Sequence, residues 1–301
     1  MTGKELLDSW KRDSEYLAKL RIDLADQPGG EQAGVTTLHL QSHGAGRPLV
    51  VLPSFSLDHN AMASALEPVF IGRAGWRRLY VDLPGTGASP SGEPRSDAVL
   101  DAVLGTIEAK LDDERFAILG WSYGGYLAAG VTRRLPEQVC GLMMVCTGFR
   151  IRPQDRDLTG TRASTPEPKW LDEVLPSLHD HFIHAVGSQT AEVATRIAGT
   201  LGRNGPTAED YLSALRRDGF ALSDETALTP CDAPVCLLAG QRDRVVGFAS
   251  LFDALGNYGH ATYTCLSSAG HYLPLEQPAI FASVTQSWLT ECESFLHVGP
   301  S

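Results

Sequence analysis

The strongest constraint on this chain is an alternation. Short runs, apolar at nearly every position, recur at residues 48–55 (PLVVLPSF), 76–83 (WRRLYVDL), 116–122 (FAILGWS), 139–146 (VCGLMMVC), 234–240 (PVCLLAG) and 261–266. A strand of this kind is buried on both faces, because a strand with one wet face would alternate polar and apolar residues. Between the runs lie stretches with helical character at 61–70, 98–111, 124–135 and 278–295. Strands separated by helices must be joined by right-handed crossovers, which gives an α/β fold with a mostly parallel sheet covered on both sides. Residues 35–43 do alternate, so they are expected at a sheet edge.

One segment breaks the rhythm. Residues 150–226 contain no strand-like run, only polar, helix-compatible sequence such as PKWLDEVLPSLHDHFIHAVG. Placed between two sheet strands, it reads as an all-helical insertion. With 301 residues the chain is long enough for one large core carrying such an insertion. The core is then expected over 31–149 and 227–301. Residues 1–30 form an N-terminal helical extension, in which Leu6, Trp10, Leu17, Leu20 and Leu24 recur at helical spacing and are expected to pack on the same domain.

Charge and composition exclude several function classes. A formal net charge of -11 argues against nucleic acid, whose phosphates need clustered Lys and Arg, and weakly against an anionic membrane surface. No apolar stretch reaches the length of a membrane span or a signal peptide. Without a secretory signal, the six cysteines are expected to be reduced thiols. Cys146, Cys236 and Cys265 are expected in buried strands, where Cys acts as a small hydrophobe. The expected protein is cytoplasmic, a monomer or homodimer acting on a small molecule.

The chemistry concentrates at Gly120-Trp121-Ser122-Tyr123-Gly124. This G-x-S-x-G follows a buried strand and opens a helix, which is the setting a nucleophile elbow requires. The helix N-terminus supplies unpaired N–H groups and a partial positive field. A serine hydroxyl needs a base within hydrogen-bond reach, and nine histidines compete for that role. His271, in SAGHYLP, follows the last apolar run and is preceded by a glycine that lets its loop point the ring. The third member should orient the imidazole and stabilise its charge. Asp243, in GQRDRVV, lies just beyond a buried strand, whereas Asp112, Asp113 and Asp232 do not. Ser122, Asp243 and His271 are thus the expected catalytic triad.

With these residues in view, the chain from about residue 35 to the C-terminus resembles the α/β-hydrolase superfamily. Val81-Asp82-Leu83-Pro84-Gly85-Thr86-Gly87-Ala88-Ser89 resembles its structural D-x-P-G-x-G-x-S turn. The resemblance implies that 150–226 is a helical cap over the active site. It also implies an oxyanion hole built from the backbone N–H groups of Phe55 and Tyr123. The usual His-Gly of that loop is replaced here by Pro53-Ser54-Phe55-Ser56.

These readings converge on hydrolysis of a small ester, thioester, lactone or amide through an acyl-enzyme, with no cofactor. Trp121, Phe149 and Trp170 are candidate pocket residues. Asp58 is expected to cap the next helix rather than face substrate with His59. Arg150, Arg152 and Arg156 could bind an anion or pair with Asp155 and Asp157. His179, His181 and His184 lack the spacing of a metal site, so no metal is expected. Alternatives on the same fold are a proline-iminopeptidase-like aminopeptidase, with Glu167, Asp172 or Glu173 holding an ammonium, a carbon–carbon bond hydrolase, and an acyltransferase or lyase of secondary metabolism. A non-catalytic ligand receptor is a further alternative. Fold alone does not choose among them.

Overall fold

The computed structural model describes residues 37–227 and 231–298, so the helix expected in residues 1–30 lies outside the described residues. The strands are β1 (Leu40–His43), β2 (Arg47–Leu52), β3 (Trp76–Val81), β4 (Phe116–Trp121), β5 (Val139–Val145), β6 (Val235–Gly240) and β7 (Ala261–Leu266). They form one sheet in the order β1-β3-β2-β4-β5-β6-β7. β1 runs antiparallel to β3, and every other pairing is parallel. The helices are α1 (His59–Leu66), α2 (Ser96–Leu111), α3 (Tyr123–Arg134), α4 (His179–Ala185), α5 (Ala191–Leu201), α6 (Glu209–Asp218), α7 (Ala249–Asp253), α8 (Leu273–Glu276) and α9 (Pro278–Val298).

The apolar runs sort by parity into two cores, because successive side chains of a strand point to opposite faces. Leu49 and Val51 of β2 and Leu119 and Trp121 of β4 join one core, with Met62 and Leu66 of α1 and Phe281 and Trp288 of α9. Val50, Leu52 and Ile118 join the other, with Val99 and Val103 of α2 and Leu127 and Val131 of α3. Each fully buried aliphatic side chain contributes about 1.5–3 kcal/mol. Central strands therefore gain on both faces, which is why their sequences are apolar throughout.

The edges depart from that pattern. Of the alternating stretch 35–43, β1 covers Leu40–His43, and among the described residues it pairs only with β3, at the sheet edge. β7 is also an edge strand and is half-exposed along most of its length, so Cys265 is half-buried rather than buried. Cys236 is buried within β6, and Cys146 is buried one residue beyond the end of β5. All six cysteines are free thiols. Among the described residues no helix is long and apolar enough to cross a membrane.

Residues 150–226 carry α4, α5, α6 and short 3-10 turns, and their strand-type pairing is an isolated bridge between Thr86 and Thr207. Their apolar faces join the cores of the sheet domain. Val193, Ala194, Ile197 and Leu201 of α5 pack into the core shared with α1 and α8. Tyr211, Leu212 and Leu215 of α6 pack into the opposite one.

Gly199 sits exposed within α5, and a Cβ there would meet no atom within 4 Å. Gly199→Ala should therefore stabilise the protein by about 0.5–1 kcal/mol through reduced chain entropy. Urea denaturation followed by circular dichroism measures this directly.

Candidate active site

β4 ends at Trp121 and α3 begins at Tyr123, leaving Ser122 alone in the turn between them. Its backbone adopts φ 56° and ψ −119°, a conformation that costs a non-glycine residue about 1–3 kcal/mol. The turn is held by Ser122 N–H donating to Val145 O (2.8 Å) and Tyr126 N–H donating to Ser122 O (3.1 Å). It also requires glycine on both sides. A Cβ on Gly120 would lie 2.2 Å from Gly124 O, and one on Gly124 would lie 2.3 Å from Leu52 O. Serine at a helix N-cap position normally accepts from the first-turn amides. Ser122 makes no such bond, and among the described residues its hydroxyl is uncommitted; the residue is 7% exposed.

Asp243 and His271 follow β6 and β7, on the same sheet edge. His271 Nδ1 lies 2.8 Å from Asp243 Oδ2, and the aspartate is fully buried. The other oxygen, Oδ1, accepts from Val245 N (2.9 Å) and Val246 N (3.0 Å). The carboxylate thus has a fixed orientation, and it makes Nδ1 the protonated ring nitrogen, leaving Nε2 free to act as a base. The His271 backbone is pinned as well: its N–H donates to Ala185 O (2.6 Å), and its carbonyl accepts from the Trp121 indole (2.8 Å).

Of the two amides expected to hold an oxyanion, that of Tyr123 follows Ser122 directly, and that of Phe55 lies in the loop after β2, whose start approaches Gly124. Among the described residues neither the Phe55 nor the Tyr123 N–H donates to a protein acceptor. The Phe55 carbonyl accepts from Ser56 Oγ (2.6 Å), and Ser56 itself has φ 62°. The Phe55 and Tyr123 side chains meet edge to face at 5.5 Å, and Phe220 packs against both. The Arg216 guanidinium lies over the Phe55 ring at 4.1 Å. Ser96 Oγ is 2.8 Å from Tyr123 OH, and burial pushes that phenol well above its usual range.

Other candidates have different surroundings. Asp58 caps α1 by accepting from Asn60 N (2.9 Å), and it also accepts from Gly205 N (2.6 Å). His59 Nδ1 and His39 Nδ1 lie 2.7 and 2.8 Å from separate oxygens of buried Asp82, whose carboxylate also accepts the His59 and Ala88 amides. These three are the described residues whose potential metal-ligand atoms converge, and hydrogen bonds account for the convergence. His179, His181 and His184 do not converge; they bond to Val174 O, Tyr272 OH and Asp180 O respectively.

Trp121 has no exposed surface and supports the His271 loop, while Trp170 is buried against Phe182. Phe149 lines a cavity of about 390 Å³ with Arg150, Asp155 and Arg156, and Ser122 is not among its walls. Arg150 and Arg152 are exposed. Arg156 turns inward, donating to Ile151 O (3.0 and 2.6 Å) and Val245 O (3.0 Å). Burial lowers its guanidinium to about 10 against the opposing pull of Asp243, so it remains a cation at neutral pH and clamps the loop that orients Asp243. Glu167, Asp172 and Glu173 are all exposed.

The sequence reading missed Arg156 as a clamp, Phe220 as a partner of the elbow, and Glu276. That carboxylate is 4% exposed and accepts the amides of Gly187, Ser188, Gly270 and Tyr272. Its only signal was a glutamate five residues after His271, indistinguishable from an ordinary acid near a helix.

A family model described as "Alpha/beta hydrolase family" matches residues 42–284. The chain is 33% identical over 113 residues to a pimeloyl-[acyl-carrier protein] methyl ester esterase of Shewanella woodyi, covering 37% of this chain and 40% of the relative. It thus spans less than half of that relative's length. Over 196 residues it is 31% identical to the esterase of the same name from Chromobacterium violaceum, covering 64% of this chain and 68% of the relative. A crystal structure of an alpha/beta superfamily hydrolase from Oenococcus oeni superposes with a TM-score of 0.72 at 22% identity, covering 86% of this chain and 97% of the other. That last likeness bears on the fold.

Proposed function

The chain belongs to the alpha/beta hydrolase family, and from that premise we propose that it hydrolyses small carboxylic esters through an acyl-enzyme on Ser122. The observation that carries this reading is an uncommitted serine hydroxyl at a strained strand-to-helix turn, on the sheet edge that bears a histidine bonded to a buried carboxylate. Esters are favoured over amides by the methyl ester esterase names of two relatives. The exposure of Glu167, Asp172 and Glu173 favours the same choice, because an ammonium site needs a shielded anion.

In this reading Ser122 Oγ attacks the ester carbonyl as His271 Nε2 takes its proton. The imidazolium is stabilised by Asp243 through Nδ1–H. The amides of Phe55 and Tyr123 stabilise the tetrahedral oxyanion. His271 then protonates the departing alkoxide and afterwards deprotonates the water that releases the acid. Every proton is returned within the cycle, and the steps require no cofactor. Residues 150–226 act as the cap, with α5 packed into one core and α6 into the other. The free thiols support a reducing, cytoplasmic setting.

A fluorophosphonate probe should label Ser122 in the folded protein and leave Ser122→Ala unlabelled, as read by peptide mass spectrometry. Absence of label on folded wild type overturns the reading. Ester turnover should fall on the order of 10⁴-fold or more in Ser122→Ala and about 10⁴-fold in Asp243→Asn, which would hold the wrong imidazole tautomer. Among chromogenic substrates, p-nitrophenyl esters of short acids should be cleaved and amino-acid anilides left intact; the reverse order points to an aminopeptidase.

A further inference from the structure

We propose that Glu276 is a positioning residue for the reaction, holding His271 against Asp243 and tying the histidine loop to the inserted segment. The proposal rests on the reading of His271 as the catalytic base. Its geometry is specific. Oε1 accepts from Gly270 N (3.0 Å) and Tyr272 N (3.1 Å), the amides on either side of His271. Oε2 accepts from Gly187 N and Ser188 N (both 2.8 Å), and also from Gly270 N (3.0 Å). One side chain therefore fixes the peptide planes flanking the base and the chain that leaves α4. The two segments touch directly: a Cβ on Gly270 would lie 2.3 Å from Ala185 O and 2.5 Å from Gly187 N.

Among the described residues every hydrogen-bond partner of the Glu276 carboxylate is a backbone N–H, so both oxygens act as acceptors only. That pattern fits the anion, since a protonated carboxyl would need an acceptor for its O–H and only N–H donors surround it. Yet burial is the largest influence on this group and pushes it up to about 7, opposed by the amides and reinforced by Asp243. A neutral acceptor would serve a loop knot at lower desolvation cost. A retained charge does something more: with Asp243 it favours the imidazolium formed when His271 takes the serine proton. Among the described residues, other charged or titratable groups near Glu276 include Cys146 just beyond β5, Arg242, which donates to Gly187 O, and Arg196 of α5, which donates to Leu275 O. Tyr272, whose amide Glu276 holds, bonds through its hydroxyl to His181 of α4.

The test compares Glu276→Gln and Glu276→Asp in the full chain. Turnover of a p-nitrophenyl ester is measured across pH, and the His271 ring is titrated by NMR in the resting protein. Glu276→Gln should lower kcat by about tenfold or more through misplacement of the base, with KM within about twofold of wild type. The acid limb of kcat/KM and the His271 titration should both move to lower pH, because removing a nearby negative charge disfavours the imidazolium. Glu276→Asp keeps the charge, so the titration should stay in place while kcat falls by less. Wild-type kcat and titration in Glu276→Gln overturn the proposal, as does loss of activity in both variants only in proportion to the unfolded fraction. Should Glu276→Gln not fold, a Glu276→Asp protein with wild-type kcat overturns it. The titration needs no turnover, so a shifted His271 in a protein that resists the fluorophosphonate probe would retain the Glu276–His271 coupling and reject the ester-hydrolase reading alone.

Discussion

Everything in this molecule depends on the burial of the central strands on both faces. β4 is buried at every position, between β2 and β5, with one core above it and another below. An interior packed at this density transmits strain instead of relaxing it. The unfavourable backbone of Ser122 can therefore persist, because relaxing it would disturb the bond to Val145 O, the close contact of Gly124 with Leu52 and the start of α3. The strain keeps the hydroxyl off the helix amides that would otherwise donate to it as a cap.

Parallel pairing supplies the second condition. Strands that run the same way end on the same edge of the sheet, so the loops after β2, β4, β6 and β7 open toward one another. Phe55, Ser122, Asp243 and His271 each occupy one of those loops. Such loops are free to vary, and here those after β2, β6 and β7 are each restrained by a separate device. Ser56 holds the Phe55 carbonyl, Arg156 holds Val245, and Glu276 holds the amides around His271. Rigidity at the site thus comes from polar clamps set on a rigid apolar platform.

How much of this was legible in the sequence follows from the range of the interactions. The strands of the parallel sheet were readable because continuous apolar runs report burial on both faces, and Ser122 because its glycines are local to it. The half-buried Cys265 was not, since whether a strand lies at an edge depends on which strands pair with it. Asp58 was legible as a cap through its place before α1, but its bond to Gly205 spans 147 residues of chain. Arg156, Phe220 and Glu276 each reach a group distant in sequence, namely Val245 O, the Phe55 ring and the Gly187 amide, and no spacing rule announces such contacts. Trp121 stood in the motif itself, yet its indole reaches His271 O, a contact that only the assembled sheet creates.

The loop Pro53–Ser56 shows how a departure in sequence is absorbed by tertiary contacts. A His-Gly pair is absent, and the loop instead carries a serine at positive φ bonded to the preceding carbonyl. The bulky Phe55 is accommodated because Tyr123, Phe220 and the Arg216 guanidinium enclose its ring. Arg216 and Phe220 belong to the inserted segment, and Tyr123 begins the helix after Ser122. The two backbone amides proposed to receive an oxyanion therefore belong to residues whose side chains pack on each other and on that segment. A shift of α6 would act on Phe55 and Tyr123 together, so the electrostatics of the site and the placement of the insertion are coupled through one aromatic cluster.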